Sequence, residues 1–282
     1  MPRRWRSWSW WSGAPDAVDG QAPPRSARRL AVLLEYDGTA YRGSQYQEGG
    51  PTIQRVLESA VQELTGETVR AAFAGRTDAG VHALGQVAAF DTTSRLSPAE
   101  FVGGLNHFLP PDVAARAVRE VAQGFDPRRD ARSRTYRYRI SNRAVRPALD
   151  RHRAWHMPKP LDTAAMARAA RRLAGPHDFA AFAGAYGGAT QRTLARCDVA
   201  TGCGEVTVEM EARAFLPHQV RRTVGPLVEV GLGRMTEETL AALLEAARPG
   251  SAGPAAPACG LYLVRIEYDG LAFGPTQGDG RS

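Results

Sequence analysis

The chain has 282 residues, 43% of them hydrophobic and 23% charged, proportions that exclude a fibrous or wholly disordered protein. No apolar run approaches the roughly 18 residues of a membrane span, so a soluble protein without membrane contact is expected. The net charge is +7, and every cation except Lys159 is an arginine, which favours a polyanionic partner through bidentate guanidinium–phosphate contacts.

Residues 1–29 stand apart. They carry Trp5, Trp8, Trp10 and Trp11 and the paired arginines Arg3-Arg4 and Arg28-Arg29, without the continuous apolar core of a signal peptide. A basic, Trp/Pro-rich, disordered extension is expected, with an RNA-touching arm as the alternative.

From there the pattern is regular. Leu30–Tyr36 reads as a buried strand closed by the Asp37-Gly38 turn. Thr52 caps a predicted helix in which Ile53, Val56, Leu57, Ala60, Val61 and Leu64 keep helical spacing up to Gly66. Val69–Ala74 and Gln86–Phe90 read as strands on either side of a glycine-bracketed loop. Pro98–Phe108 reads as a helix and Val113–Val121 as a strand.

A similar order recurs. Thr135–Ile140 alternates as a strand, Leu161–Leu173 is an alanine-rich helix, and Gly175-Pro176-His177-Asp178 reads as a turn. Leu194–Ala200 and Glu205–Arg213 are predicted strands, His218–Val230 and Glu237–Ala247 helices, and Gly260–Tyr268 a last strand. The pattern predicts an α+β protein of two related, ferredoxin-like halves with antiparallel sheets. The expected divisions are an N-terminal domain at 30–124, a C-terminal domain at 125–270 and a tail at 271–282.

Between the halves, from Arg116 to Arg153, twelve arginines face four acids and interleave with Phe125, Tyr136 and Tyr138. Such a stretch is either a solvated face or a nucleic-acid surface that joins phosphate contact to base stacking. The three cysteines, Cys197, Cys203 and Cys259, lack C-x-x-C spacing. They argue against a disulfide framework or a zinc site and fit a reducing cytoplasm. His107 reads as a helix-end histidine, and His152 and His156 show no ligand spacing.

The sharpest local feature is Gly75-Arg76-Thr77-Asp78-Ala79-Gly80-Val81-His82. Its glycines permit a tight excursion that lifts Asp78 out of the sheet, and Arg76 can reach the same carboxylate and keep it ionised. Spacing alone equally allows an Asx turn with a surface ion pair. For His82 a hydrogen-bonded structural role is expected.

The run AGRTDAGVHALGQVAAF at 74–90 closely resembles the catalytic motif of tRNA pseudouridine synthases of the A type. LLEYDGTAYRG at 33–43 is similar to that family's first strand and turn. Phe125, Arg128, Ala131, Arg134, Tyr136 and Tyr138 fall on its F-x-x-R-x-x-A-x-x-R-x-Y-x-Y pattern. His218, Val220, Arg221, Val224 and Gly225 resemble its second arginine motif, and GLYLVRIEY at 260–268 its closing strand. The resemblance runs from about residue 30 to 268.

It implies a cytoplasmic, cofactor-free and metal-free isomerase that converts uridines 38, 39 and 40 of the tRNA anticodon stem-loop to pseudouridine. It further implies a homodimer with tRNA across both subunits, and a catalytic cleft between the halves. Asp78 is implied as the essential carboxylate, acting as nucleophile or as base. Arg76 is implied to extrude the target nucleotide and hold Asp78, Tyr136 to stack on the flipped uracil and assist at C5, and Arg221 to pair with Asp78. Tyr136, Arg128, Arg134 and His218 are implied substrate contacts, and the Gly184–Gly188 loop is a further candidate. The alternatives are the same chemistry on another RNA or a nucleoside, and a non-catalytic RNA-binding paralogue.

Three positions depart from the family pattern. Ser44 stands where tryptophan is common, implying looser packing or a lost RNA contact. Asp126-Pro127 replaces His-Ala, bringing an acid near expected phosphate contacts. Pro217 replaces a basic or polar residue and suits the first position of a helix.

Overall fold

A computed structural model describes residues 26–184 and 186–273. Most of the expected N-terminal extension (1–25) and the tail from 274 lie outside the described residues, as does Ala185 in the Gly184–Gly188 loop.

The apolar run after Arg28 forms β1 (Arg28–Tyr36). Helix α1 (Ile53–Thr65) starts where expected, with the Thr52 hydroxyl accepting the Arg55 N–H at 3.3 Å. The chain continues through β2 (Ala72–Phe73) and β3 (His82–Thr92) to α2 (Pro98–Phe108). Ser97 and Glu100 close a reciprocal capping box on α2, and Pro98 occupies its first turn. Strand β4 (Val113–Val121) ends the first half.

The second half begins with β5 (Ala131–Ser141) and the two-residue β6 (Trp155–His156). Helix α3 (Thr163–Arg171) follows, then β7 (Gly175–Asp178), β8 (Gln191–Gly202) and β9 (Glu205–Ala212). Helices α4 (Gln219–Gly231) and α5 (Glu237–Ala246) precede β10 (Leu261–Tyr268).

Within each half the strands pair antiparallel except for the short parallel pairing of β6 with β5, and the two sets join into one sheet ordered β4-β1-β3-β10-β5-β9-β8-β7. The seam is a short parallel pairing in which Tyr262 and Leu263 of β10 face His82 and Ala83 of β3. The backbones converge just beyond it, since a Cβ on Gly85 would lie 2.4 Å from the Val264 carbonyl oxygen. The core is continuous across the seam and includes Leu30, Leu34, Phe90, Phe101, Tyr138 and Ile140. Each such side chain contributes about 1.5–3 kcal/mol by leaving water.

His82 fastens the seam. Its ring stacks on Tyr262 with centroids 4.7 Å apart, and Nδ1 accepts the Gly38 N–H at 3.1 Å. Nε2 lies 3.0 Å from the His152 carbonyl and 3.2 Å from that of Cys259, so it carries the proton. Burial holds the imidazole below its ordinary pKa despite the nearby Asp37 carboxylate. Arg153 pairs with Asp37 Oδ2 at 3.0 Å and ties the segment before β6 to the turn after β1.

Several expected boundaries shift. The strand expected at Val69–Ala74 shrinks to Ala72–Phe73, because only those residues pair with Ala88 and Ala89 of β3. Gly175–Asp178 is an edge strand rather than a turn, paired with Gln191–Leu194 of β8. Helix α4 begins at Gln219 after His218, so Pro217 precedes the cap instead of opening the helix.

Candidate active site

Asp78 sits on the loop between β2 and β3, at the mouth of a cleft of about 1050 Å³. The loop is fastened from below. The Tyr36 hydroxyl meets Thr77 Oγ1 at 2.9 Å, and Gln86 Nε2 donates to the Gly75 carbonyl at 2.8 Å. Burial pushes the Tyr36 phenol up to about 12, so it stays a neutral structural partner.

The second half supplies the carboxylate's partners. Arg221 on α4 donates from Nη1 to Asp78 Oδ2 at 2.8 Å and from Nε to the Ala256 carbonyl at 2.7 Å. The Ala256 N–H in turn donates to the Arg221 carbonyl at 3.0 Å, which fixes the arginine between two segments. His218 Nδ1 lies 3.2 Å from the same Oδ2. Both partners take Oδ2, and Oδ1 of the one-third exposed side chain has no hydrogen-bond partner among the described residues.

His218 reaches this position from a left-handed backbone, φ 62°, which is uncommon outside glycine. Its Cδ2 would lie 2.8 Å from a Cβ on Gly184, so a side chain there would displace the imidazole.

Arg76 differs from the sequence expectation. Its side chain is exposed on the cleft wall, and among the described residues it forms no ion pair with Asp78. Arg221 is the guanidinium that holds the carboxylate.

Tyr136 on β5 lines the cleft beneath Asp78, packed edge-on to Phe215 with centroids 5.1 Å apart. Burial, then the neighbouring Tyr36, raises its phenol well above the ordinary tyrosine value. It therefore presents a neutral ring to the cleft.

Arg134 also departs from expectation. It is 7% exposed, and its guanidinium donates to the Ala74 carbonyl from Nη2 at 2.7 Å and from Nε at 3.2 Å. Further bonds reach the carbonyls of Arg128 at 2.7 Å and of Arg213. It clamps three segments together, and its donors are spent on backbone rather than turned to a polyanion. Arg128 has an exposed side chain on the cleft wall, without an ion pair among the described residues. Asp126 caps the next turn of chain, its Oδ1 accepting the N–H groups of Arg128 and Arg129 at 2.8 and 2.9 Å. These bonds, that from Arg129 foremost, lower its pKa, so the acid organises the arginine turn rather than facing a phosphate.

Seven arginines line the cleft against two acids, Asp78 and Asp178. That balance, beside an aromatic wall and the Asp78 carboxylate held by Arg221, suits a polyanion with a base inserted among the side chains. Among the described residues no cluster of three or more His, Cys, Asp or Glu could hold a metal ion. No helix there is long and apolar enough to cross a membrane. Phe215, the Ala256 carbonyl and the Ser44–Thr77 contact escaped the sequence reading, since each acts through a neighbour distant in the chain.

Comparison with known proteins agrees with the geometry. The profile of the family described as tRNA pseudouridine synthase matches residues 32–128 and 169–269. A Pelobacter propionicus protein named tRNA pseudouridine synthase A is 46% identical over 244 residues, covering 86% of this chain and 100% of the relative. Its namesake in Myxococcus xanthus is 48% identical over 243 residues, covering 85% and 92% of the two chains. Another from Rhodospirillum rubrum is 43% identical over 252 residues, covering 88% and 91%.

Proposed function

Because this chain belongs to the tRNA pseudouridine synthase family and isomerises uridine in tRNA, we propose that its targets are uridines 38, 39 and 40 of the anticodon stem-loop. Its site of action is the cytoplasm, and its working form is a homodimer with tRNA lying across both subunits. Residues 30–124 form the catalytic domain and 125–270 the domain that completes the cleft.

The reaction breaks the N1–C1′ bond and forms C5–C1′. The C5 proton then leaves and N1 gains one, so atoms and electrons balance without a redox partner or group donor. What the protein must supply is an extruded base, a fixed carboxylate and shielding from water.

Asp78 is the catalytic carboxylate in this reading, and the single observation that supports it is its attachment. Arg221 and His218 both contact Oδ2, which leaves Oδ1 as the oxygen that reacts with the ribose or takes its proton. Tyr136 provides a neutral shelf for the detached uracil. The exposed Arg76 and Arg128 take phosphates, and Arg76 fills the gap left by the extruded nucleotide. Arg134 shapes the cleft instead of touching RNA.

Pseudouridine mapping on transcripts with uridine 38, 39 or 40 replaced singly by cytidine tests the targets. Loss of product only at the replaced position is expected. Product outside the anticodon stem-loop would contradict the assignment.

A further inference from the structure

We infer that Ser44 is a positioning residue for the catalytic loop, fixing the backbone of Thr77 and through it the carboxylate of Asp78. The inference rests on the reading of Asp78 as the catalytic carboxylate.

Ser44 lies on the segment after β1 and is fully buried. Its main-chain N–H donates to the Thr77 carbonyl at 3.1 Å. Its hydroxyl oxygen accepts the Thr77 N–H at 2.9 Å. The residue before Asp78 is thus held at both peptide groups, and one of them is the Thr77–Asp78 peptide unit itself. The approach depends on Gly43, which adopts φ 95° and whose Cβ, if present, would lie 2.5 Å from the Thr77 carbonyl oxygen.

The clasp is anchored on the other side. The carbonyls of Gly43 and Ser44 accept the N–H groups of Ile53 and Gln54 at 3.2 and 2.9 Å. These are first-turn donors of α1 that have no partner inside the helix. A rigid helix end, Ser44, Thr77 and Asp78 therefore form one connected path. Thr77 is 7% exposed, and the Ser44 hydroxyl is the acceptor that satisfies its N–H. Without that acceptor the loop must shift to find another, and a 1 Å misplacement of a reacting group can cost about 10²-fold in rate.

The serine that replaces the common tryptophan thus leaves no loose site. Full burial also removes it from direct contact with RNA.

The test compares Ser44→Ala, Ser44→Thr and Ser44→Val, because the last two have the same shape and differ in the hydroxyl. The expected result is a fall of about tenfold in kcat on tRNA for the alanine and valine variants with KM unchanged, and a faster threonine variant. Equal rates for threonine and valine would overturn the inference, as would wild-type kcat in Ser44→Ala. A raised KM at unchanged kcat would do the same, marking an RNA contact. Hydrogen exchange at the Thr77 amide of the wild-type protein needs no variant: protection is expected, and free exchange would overturn the inference. Asp78→Asn, assayed alongside, separates the two failures, since activity in that variant overturns the reading of Asp78 and free exchange at Thr77 overturns only the role of Ser44.

Discussion

Arg221 Nη1, on helix α4 of the second half, stands 2.8 Å from Asp78 Oδ2, on a loop of the first half 143 residues away in sequence. The pair makes the site a product of both halves, because neither supplies a fixed carboxylate alone. The strand seam at His82 and Tyr262 sets the distance between them.

Arg221→Ala should therefore cost catalysis more than binding. The side chain is 15% exposed, and its loss frees Asp78 to rotate and leaves the Ala256 carbonyl without its donor. We expect a fall of roughly 10²-fold in kcat with little change in KM, measured on tRNA by steady-state kinetics. Arg221→Lys should recover part of the loss, since an ammonium serves one partner where the guanidinium serves two.

His218 couples strain to function. Its left-handed backbone costs about 1–2 kcal/mol relative to glycine. His218→Gly should raise the thermal midpoint by roughly 2–4 °C for each kcal/mol relieved. It should also lower kcat, because the contact to Asp78 Oδ2 disappears. Calorimetry and kinetics on the same preparation check both signs, and a variant as active as wild type would refute the coupling.

Arg134 and Arg128 share a motif and should behave oppositely. Arg134→Ala strips donors from the carbonyls of Ala74, Arg128 and Arg213, and each buried polar group left unpaired costs about 1–3 kcal/mol. A large drop in stability is expected. Arg128→Ala should leave stability unchanged, weaken tRNA binding and reduce the slope of log affinity against log salt by about 1.

His82 sets an acid limit on stability. Its folded-state pKa lies below the unfolded value of about 6.5, so the unfolded chain binds the extra proton first. Stability is thus highest above that value and declines as pH falls from about 6.5 toward the depressed folded pKa. Denaturant titrations from pH 8 to 5 should show the decline, and His82→Gln should flatten it.

The legibility of this molecule in its sequence divides along local and distant causes. Helix α1 could be placed to the residue because Thr52 and Gly66 carry its end signals. Strand β4 was equally plain. Gly175–Asp178 was not, since its strand state comes from pairing with β8 and its Gly-Pro start is ordinary turn chemistry. The flanking glycines marked Asp78 as a candidate but left an Asx turn open, and the family motifs singled out Asp78 and Arg221 together. Two of the site arginines depart from expectation: Arg76 does not pair with Asp78, and Arg134 faces carbonyls. Both turn on side-chain direction, which spacing does not encode. The clasp by Ser44 was hidden for a similar reason, because a small serine gives no sign of the backbone it will meet.

Tritium release from tRNA labelled at uridine C5 tests the central claim most directly, because isomerisation must expel that hydrogen. Wild-type protein should release it stoichiometrically with pseudouridine formed. Asp78→Asn, which keeps the shape and loses the charge, should fold normally and release none. Release by the asparagine variant at a rate near that of wild type would contradict the account.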